Sequence, residues 1–300
     1  MNVGIEIGGT KLQLATGDPT TGKIEQIFRY RVDKSQGASG ILAQIEHTLQ
    51  ALPYPAARIG IGFGGPVNPT TGVIATSHQI GGWSGFELVK WFKERFDANV
   101  FLDNDANLAA LAEAHFGAGK DYKQVFYITL GSGVGGGLVC NGSLYHGNAP
   151  GEAEVGLLQL DREGNSLESF CSGWALDAKI RALVPSLPTE SPLKQLVGTQ
   201  QSGEAQFLLP ALIQGDPNAA ELLQKYADTL AWGLSHVVYL FNPDIIVLGG
   251  GVSLIGEALR VQETLPKYLV KAFQPGPLIA LAELKEETVL VGSLCLLNHK

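Results

Sequence analysis

The sequence predicts an α/β protein built from two related halves, and three observations carry that expectation. The chain has 300 residues, more than a single hydrophobic core usually serves. Short apolar runs alternate with stretches of helical spacing. A strand–glycine–strand unit occurs twice, in V-G-I-E-I-G-G-T-K-L-Q-L-A (3–15) and V-F-Y-I-T-L-G-S-G-V-G-G-G-L-V-C (125–140). The two copies lie roughly a hundred residues apart, the mark of a repeated supersecondary unit.

The elements follow in order. Val3–Ile7 and Lys11–Ala15 flank Gly8-Gly9-Thr10 as the arms of a hairpin, and a third strand is expected near Gln26–Tyr30. Ile41, Leu42, Ile45 and Leu49 fall at helical spacing within Gly40–Leu52. Arg58–Phe63 is a short apolar strand that ends in G-G-P-V-N-P, and Phe86–Phe96 carries a second helical pattern. An apolar strand over 99–102 then runs into D-N-D-A-N (103–107) and an alanine- and leucine-rich helix. The second part begins near Gly117-Ala118-Gly119 and opens with the second hairpin. A long helix starts at Asp216-Pro217, where Asp caps and Pro suits the first turn. It ends before Asn242-Pro243, and the strand Asp244–Leu248 follows, closed by Gly249-Gly250-Gly251. A last helix, Val289–Leu297, is expected to return to the first half. The domain expectation is therefore 1–116 completed by 289–300, and 117–288. The region 181–210 gives no clear pattern.

Composition narrows the class of partner. Hydrophobic residues make up 45% and charged residues 17%, as in a globular protein with a substantial core. A net charge of −8 with no basic run argues against nucleic acid. Cys140, Cys171 and Cys295 are odd in number and far apart, which argues against a disulfide framework and for a cytoplasmic setting. Met1-Asn2 leads straight into a strand without a leader pattern, and the apolar Ile245–Ile255 is short and broken by glycines, so no membrane partner is expected.

Three glycine turns follow apolar strands: Gly8-Gly9-Thr10, Gly131 to Gly137, and Gly249-Gly250-Gly251. Such turns expose consecutive backbone N–H groups without Cβ obstruction, which makes a nest for phosphate oxygens. A single one would read as an ordinary hairpin turn; three in one chain favour phosphate. No G-x-x-x-x-G-K-[ST] loop occurs, and no strand–G-x-G-x-x-G–helix unit opens the chain.

In order, E-I-G-G-T-K (6–11), G-F-G-G-P-V-N-P (62–69), D-N-D-A-N (103–107), T-L-G-S-G-V-G-G-G (129–137) and N-P-D-I-I-V-L-G-G-G-V (242–252) resemble the motifs of the ROK (repressor, open reading frame, kinase) sugar kinases. That family is a branch of the actin-like ATPase and hexokinase superfamily. The resemblance implies two lobes of the ribonuclease-H-like type with a cleft between them. It implies ATP- and Mg²⁺-dependent phosphorylation of a hexose hydroxyl, glucose first, with fructose or an N-acetylhexosamine open. It also implies a small-molecule sugar partner and a possible homodimer. Asp105 takes the place of the family's general base, and Asn104 that of a sugar-binding amide. Gly65, Glu154 and Glu168 match further sugar contacts, and His78 lies downstream of the sugar-side turn as another candidate. The nucleotide would be held by Gly8, Gly9, Thr10 and Lys11, by Thr129, Gly131, Ser132, Gly133 and Gly135, and by Gly249, Gly250 and Gly251. Lys11 has a second reading as a surface charge. Glu6 stands where many relatives have Asp and is expected to face Mg²⁺ through water.

The chain departs from the family within G-E-A-E-V-G-L-L-Q-L-D-R-E-G-N-S-L-E-S-F-C-S-G-W-A-L (151–176). The family's structural zinc uses a His and a cysteine loop; here Leu157 occupies the His position and Ser166 the last Cys position, so no zinc is expected. Glu152 offers an alternative register for Glu154. His115 and His236 read as packed residues, and Trp83 as a core or lid anchor. Two rivals remain. A transcriptional repressor would need a DNA-binding domain ahead of the first strand, which starts within a few residues of Met1. A sugar- or nucleotide-binding homologue without catalysis would not need Asp105 and all three turns.

Overall fold

The computed structural model describes all residues except His78, Pro150, Glu152, His299 and Lys300. The expectations for His78 and Glu152 therefore lie outside the described residues.

The chain forms two compact units: Met1–Lys123 with Gly137–Ala153 and Glu283–Lys300, and Gln124–Gly136 with Glu154–Ala282. The sequence-based division after 116 thus lies seven residues ahead of the first crossing, and 137–153 counts with the first unit.

The first unit holds strands β1 (Asn2–Ile7), β2 (Lys11–Gly17), β3 (Ile24–Arg31), helix α1 (Gly37–Gln50), β4 (Arg58–Phe63), the short pair β5 (Val67–Asn68) and β6 (Val73–Ile74), α2 (Leu88–Lys93), β7 (Asn99–Asn104) and α3 (Asp105–Phe116). Its sheet runs β3-β2-β1-β4-β7. β1, β4 and β7 are parallel, and β2 and β3 return antiparallel, with Ile5 opposite Leu14. Strand alternation explains both faces. Ile5, Ile7, Ile59, Ile61 and Phe63 pack into one core with Ile41, Ile45 and Leu49 of α1. Gly4, Gly60 and Gly62 occupy the alternate positions, on the other face. There a Cβ on Gly60 would run into the Ser293 carbonyl oxygen, so the glycines let a helix lie directly on the sheet.

The second unit holds β8 (Gln124–Leu130), the start of β9 (Val134–Cys140), α4 (Leu167–Cys171), α5 (Gly173–Leu183), α6 (Pro192–Val197), α7 (Leu208–Ile213), α8 (Pro217–Phe241), β11 (Ile245–Gly249), α9 (Val261–Thr264) and β12 (Leu278–Leu281), while the rest of β9 and the short β10 (Ser143–Leu144) count with the first. The second sheet runs β10-β9-β8-β11-β12, with β8, β11 and β12 parallel. Its order repeats that of the first sheet strand for strand, as the duplicated hairpin implies. α8 begins at Asp216, whose carboxylate accepts from the Asn218 and Ala219 amides, and stops at Asn242 in the left-handed conformation. α10 (Thr288–Cys295) is the helix that lies on Gly4 and Gly60, within the first unit.

Several elements differ in extent from the sequence pattern. α2 is confined to Leu88–Lys93. Phe86 and Phe96 lie outside it because they pack edge-on or tilted against Trp83 and Phe92 instead of continuing the helix. The third glycine turn opens into a 3₁₀ segment, Gly251–Leu259. The weakly patterned region 181–210 holds the end of α5, α6, a 3₁₀ turn at Glu204–Phe207 and the start of α7.

Candidate active site

In the first unit the site is built at three strand ends. β7 carries Asp103 and Asn104, and Asp105 is the first residue of α3. Asn104 caps α3: its Oδ1 accepts from the amides of Ala106 at 2.8 Å and Asn107 at 3.3 Å. Its Nδ2 donates to the Gly65 carbonyl at 3.1 Å, which ties the helix start to the turn after β4. A side-chain amide has two N–H groups, so capping and this tie use the acceptor and one donor. Asp105 is half-buried. A Cβ on Gly64 would lie 3.3 Å from Asp105 Oδ2, 3.5 Å from the Ile7 carbonyl oxygen and 3.6 Å from the Gly8 Cα. Those distances place the Asp105 carboxylate beside the turn after β4, which also lies against the end of β1.

Asp103 is treated differently. It is fully buried, and its Oδ1 accepts from the Asn104 amide at 2.9 Å and from Asn107 Nδ2 at 3.0 Å. Its Oδ2 meets His146 Nε2 at 2.8 Å. His146, on the segment after β10, was not singled out from the sequence because nothing local marks a contact spanning 43 residues.

The first glycine turn is held by Gly8 N donating to the Lys11 carbonyl at 3.0 Å. Gln79, also missed from the sequence, lays its carboxamide where a Cβ on Gly9 would be. Glu6, on β1 and nearly buried, receives Lys11 Nζ on Oε1 at 3.0 Å and Gln13 Nε2 on Oε2 at 2.8 Å. Lys11 is an exposed residue whose ammonium pairs with Glu6 beside the turn.

The second unit gathers the other two glycine turns. Thr129, at the end of β8, is paired in register with Gly249 of β11. Gly250 has a φ of +83° and presses on the Leu130 backbone, an approach that only glycine permits. Within the turn after β8, Gly131 N donates to the Gly133 carbonyl at 3.0 Å, and Gly173 N donates to the Gly131 carbonyl at 2.7 Å. Ser132 and Gly135 belong to the same turn and the start of β9. Glu168 is half-buried and its Oε2 accepts from the Val134 amide at 2.8 Å, so it braces this turn. Glu154 is exposed and precedes the 3₁₀ turn Val155–Leu157.

These turns open on a cavity of about 920 Å³ within the second unit, lined by Gly131, Ser132 and Gly251 at one side and by Trp174, Leu209 and Leu254 among others. Trp174, Asp177 and Arg181 also line it, spaced as one face of α5. Asp177 accepts from the Gly203 amide at 3.0 Å and the Ala205 amide at 2.8 Å. Arg181 makes a two-pronged pair with Glu204, Nε to Oε1 at 2.7 Å and Nη2 to Oε2 at 2.9 Å. Burial opposes the charge on Glu204, but the hydrogen bonds from Arg181 outweigh it and hold the carboxyl below its ordinary value. Sequence reading quoted Trp174 but gave it no role and passed over Asp177 and Arg181.

Among the described residues no cluster of three or more His, Cys, Asp or Glu could hold a metal ion, and no helix is long and apolar enough to cross a membrane. Burial pushes the Cys171 and Cys295 thiols up to about 12, so both stay protonated.

Two sheets of the same strand order, each with a glycine-turned hairpin at its centre, define the class: a mixed α/β fold of the actin-like ATPase type. The chain belongs to the ROK family, whose description matches residues 2–300. It is 26% identical to a glucokinase of Thermotoga maritima over 99% of this chain and 97% of that protein. It is 30% identical to a glucokinase of Halalkalibacterium halodurans over 97% of this chain and 92% of that one. Among solved structures, a ROK family glucokinase from Streptomyces griseus in complex with glucose and AMPPNP matches with a TM-score of 0.86 and 28% identity, covering 100% of this chain and 99% of that chain.

Proposed function

We propose that the protein is an ATP-dependent sugar kinase that phosphorylates a hexose hydroxyl, with glucose as the favoured acceptor and Asp105 as the general base. The observation that carries this reading is the seat of Asp105: its carboxylate lies beside Gly64, at the start of a helix whose cap is tied to Gly65. Phosphoryl transfer passes through a loose transition state, so it asks for positioning and charge management more than for a strong base. A half-buried carboxylate mounted where a rigid strand ends can accept a hydroxyl proton late in transfer. The glucokinase relatives support the choice of chemistry and of glucose.

In this reading Asn104 and the Gly65 turn orient the sugar through the remaining amide donor and the backbone, with Glu154 and Glu168 as further sugar contacts. The Gly8–Thr10 turn with Lys11, and the turns at Thr129–Gly135 and Gly249–Gly251, hold the donor. The donor set fits Mg²⁺ that arrives on the phosphates. The described residues offer no protein cage, and Glu6 presents one carboxylate, shared with Lys11 and Gln13, which suits contact through water. When bound, the ion offsets charge on the phosphate oxygens.

The test is a coupled ADP-release assay with Mg-ATP across glucose, fructose, mannose and N-acetylhexosamines, with the product identified by phosphorus NMR. Glucose should give the fastest sugar-dependent release. If no hexose raises ADP release above the rate without sugar, the kinase reading is refuted and a binding homologue without catalysis takes its place.

A further inference from the structure

The loop from β6 to α2 carries a polar side chain, Gln79, that packing does not account for. The C-terminal part of the loop is fixed. Ile80 and Trp83 are buried, and the Gly81 carbonyl accepts from the Ala38 amide at 2.9 Å. The Trp83 indole meets Phe63 and Phe86 edge-on, each at 5.4 Å. Phe63 ends β4, so the loop is mounted on the strand that leads into Gly64. Thr76, nearer β6, lies on the same corner: a Cβ on Gly65 would be 3.3 Å from its carbonyl oxygen. Between these anchors Gln79 is exposed, yet it folds its carboxamide over Gly9. A Cβ on Gly9 would collide with Gln79 Oε1 and lie 3.2 Å from the Gln79 Cβ. No hydrogen bond joins that carboxamide to another described residue. A long side chain held against a glycine turn with its polar end unused is placed to meet a ligand there.

Gly9 belongs to the turn proposed to hold phosphate, and Gly64 links that turn to the proposed base. A Cβ on Gly64 would have Asp105 Oδ2 at 3.3 Å and the Gly8 Cα at 3.6 Å. A phosphoryl group that leaves a donor on the Gly8–Thr10 turn therefore starts beside the Gln79 carboxamide. The nearby charges favour a neutral donor at this place. Lys11 is already paired with Glu6. A further cation would lower the basicity of a neighbouring carboxylate, whereas a carboxamide offers two N–H groups without charge. Half a turn about its last bond brings those N–H groups to where Oε1 now lies. We infer that Gln79 is a further catalytic residue, whose carboxamide donates to an oxygen of the transferred phosphoryl group and steadies the charge on it during transfer. Gln79 takes up no proton and forms no covalent bond; the hydroxyl proton still goes to Asp105. The inference rests on the kinase reading above and adds one residue to its machinery.

The experiment compares wild type, Gln79→Ala and Gln79→Glu in sugar-dependent ADP release, at saturating Mg-ATP with the hexose turned over fastest. Each protein is also titrated by calorimetry with Mg-ADP, alone and with aluminium fluoride, a mimic of the phosphoryl group in flight. Gln79 is exposed and its carboxamide unbonded, so both variants should keep the wild-type melting temperature. Gln79→Ala should lower kcat by about 10²-fold, the scale of removing one positioned donor, with both KM values within about threefold of wild type. Its Mg-ADP affinity should match wild type, while the aluminium fluoride complex weakens by about 10²-fold. Gln79→Glu keeps the size but exchanges the donors for a second acceptor oxygen, so it should be no faster than Gln79→Ala. Gln79→Ala with kcat within about threefold of wild type, or Gln79→Glu at the wild-type rate, would overturn the role of Gln79 and leave the kinase reading intact. Equal losses for Mg-ADP and for its aluminium fluoride complex would overturn it too, by making Gln79 a ground-state contact. A wild-type chain with no sugar-dependent ADP release would overturn both this inference and the reading it rests on.

Discussion

Asp105→Asn is the substitution that isolates the chemistry from the scaffold. The cap of α3 belongs to Asn104, which accepts from the Ala106 and Asn107 amides and ties to Gly65. An Asn at 105 keeps the shape of the side chain and an oxygen for the Ala106 amide that Asp105 Oδ1 now accepts at 2.8 Å. What it loses is a charge in the first helical turn, worth about 0.3–1 kcal/mol at a helix N-terminus, so the fold should stand within that margin. It also loses the ability to take a proton. A positioned general base contributes about 10²- to 10⁴-fold, or about 3–5 kcal/mol of barrier. The expectation is a kcat lower by that factor with the sugar KM within about threefold of wild type, because Asn104, the amide proposed to orient the sugar, is untouched. The assay is sugar-dependent ADP release at saturating Mg-ATP, with the melting temperature as the fold control. A folded Asp105→Asn enzyme with kcat within about threefold of wild type would remove Asp105 from the mechanism.

Three further outcomes are expected. In Gly133→Ala the new Cβ would lie 2.5 Å from Glu168 Oε2, which must swing off the Val134 amide it now accepts at 2.8 Å; ADP affinity should drop by about tenfold, the cost of one distorted charge-assisted hydrogen bond, and calorimetry reads it. Asp216 is buried, which opposes its charge, but hydrogen bonds from Ser191, Leu193, Asn218 and Ala219 outweigh that and lower its carboxyl from 3.8 to about 2. Its stabilisation is therefore in full force above the unfolded value and vanishes as pH falls through about 2, with a worth of about 2.5 kcal/mol; urea unfolding of Asp216→Ala should show at least that deficit at pH 7 and a much smaller one near pH 2. Chelation of divalent cations should stop turnover and added Mg²⁺ should restore it, with circular dichroism unchanged throughout, since the described residues offer no protein cage whose loss would unfold the chain.

Much of the architecture was legible because its signals are local. The hairpins announce themselves by apolar arms around glycines, and α8 by an Asp-Pro start and a long apolar stripe. The alternation in R-I-G-I-G-F was legible as a strand, and its glycines also mark the face on which α10 lies, a second meaning that only the close approach to Ser293 makes plain. Aromatic residues misled at α2, because Phe86 and Phe96 follow helical spacing yet are recruited by tertiary ring contacts. The cavity lining failed for another reason. Trp174, Asp177 and Arg181 fall at i, i+3 and i+7, which a sequence shows as a helix face, but the partners that give them meaning, Gly203, Ala205 and Glu204, come from a stretch with no periodic pattern of its own.

The same limit bears on the acid- and amide-rich end of β7. As letters, Asp103 and Asp105 are equivalent, two carboxylates flanking one amide. The change from strand to helix between Asn104 and Asp105 separates them. Asp103 still obeys the strand and points into the protein, where it is fully buried and both oxygens are taken up by Asn104, Asn107 and His146. Asp105 already obeys the helix and lies beside Gly64, in the turn that ends β4. One acid can therefore act as a fixed hub, fully buried and hydrogen-bonded through both oxygens, while its neighbour two residues on stays half-exposed beside Gly64. A group that exchanges a proton with a ligand must be reachable, and half-exposure against full burial is what favours Asp105 over Asp103 for the proposed role of base.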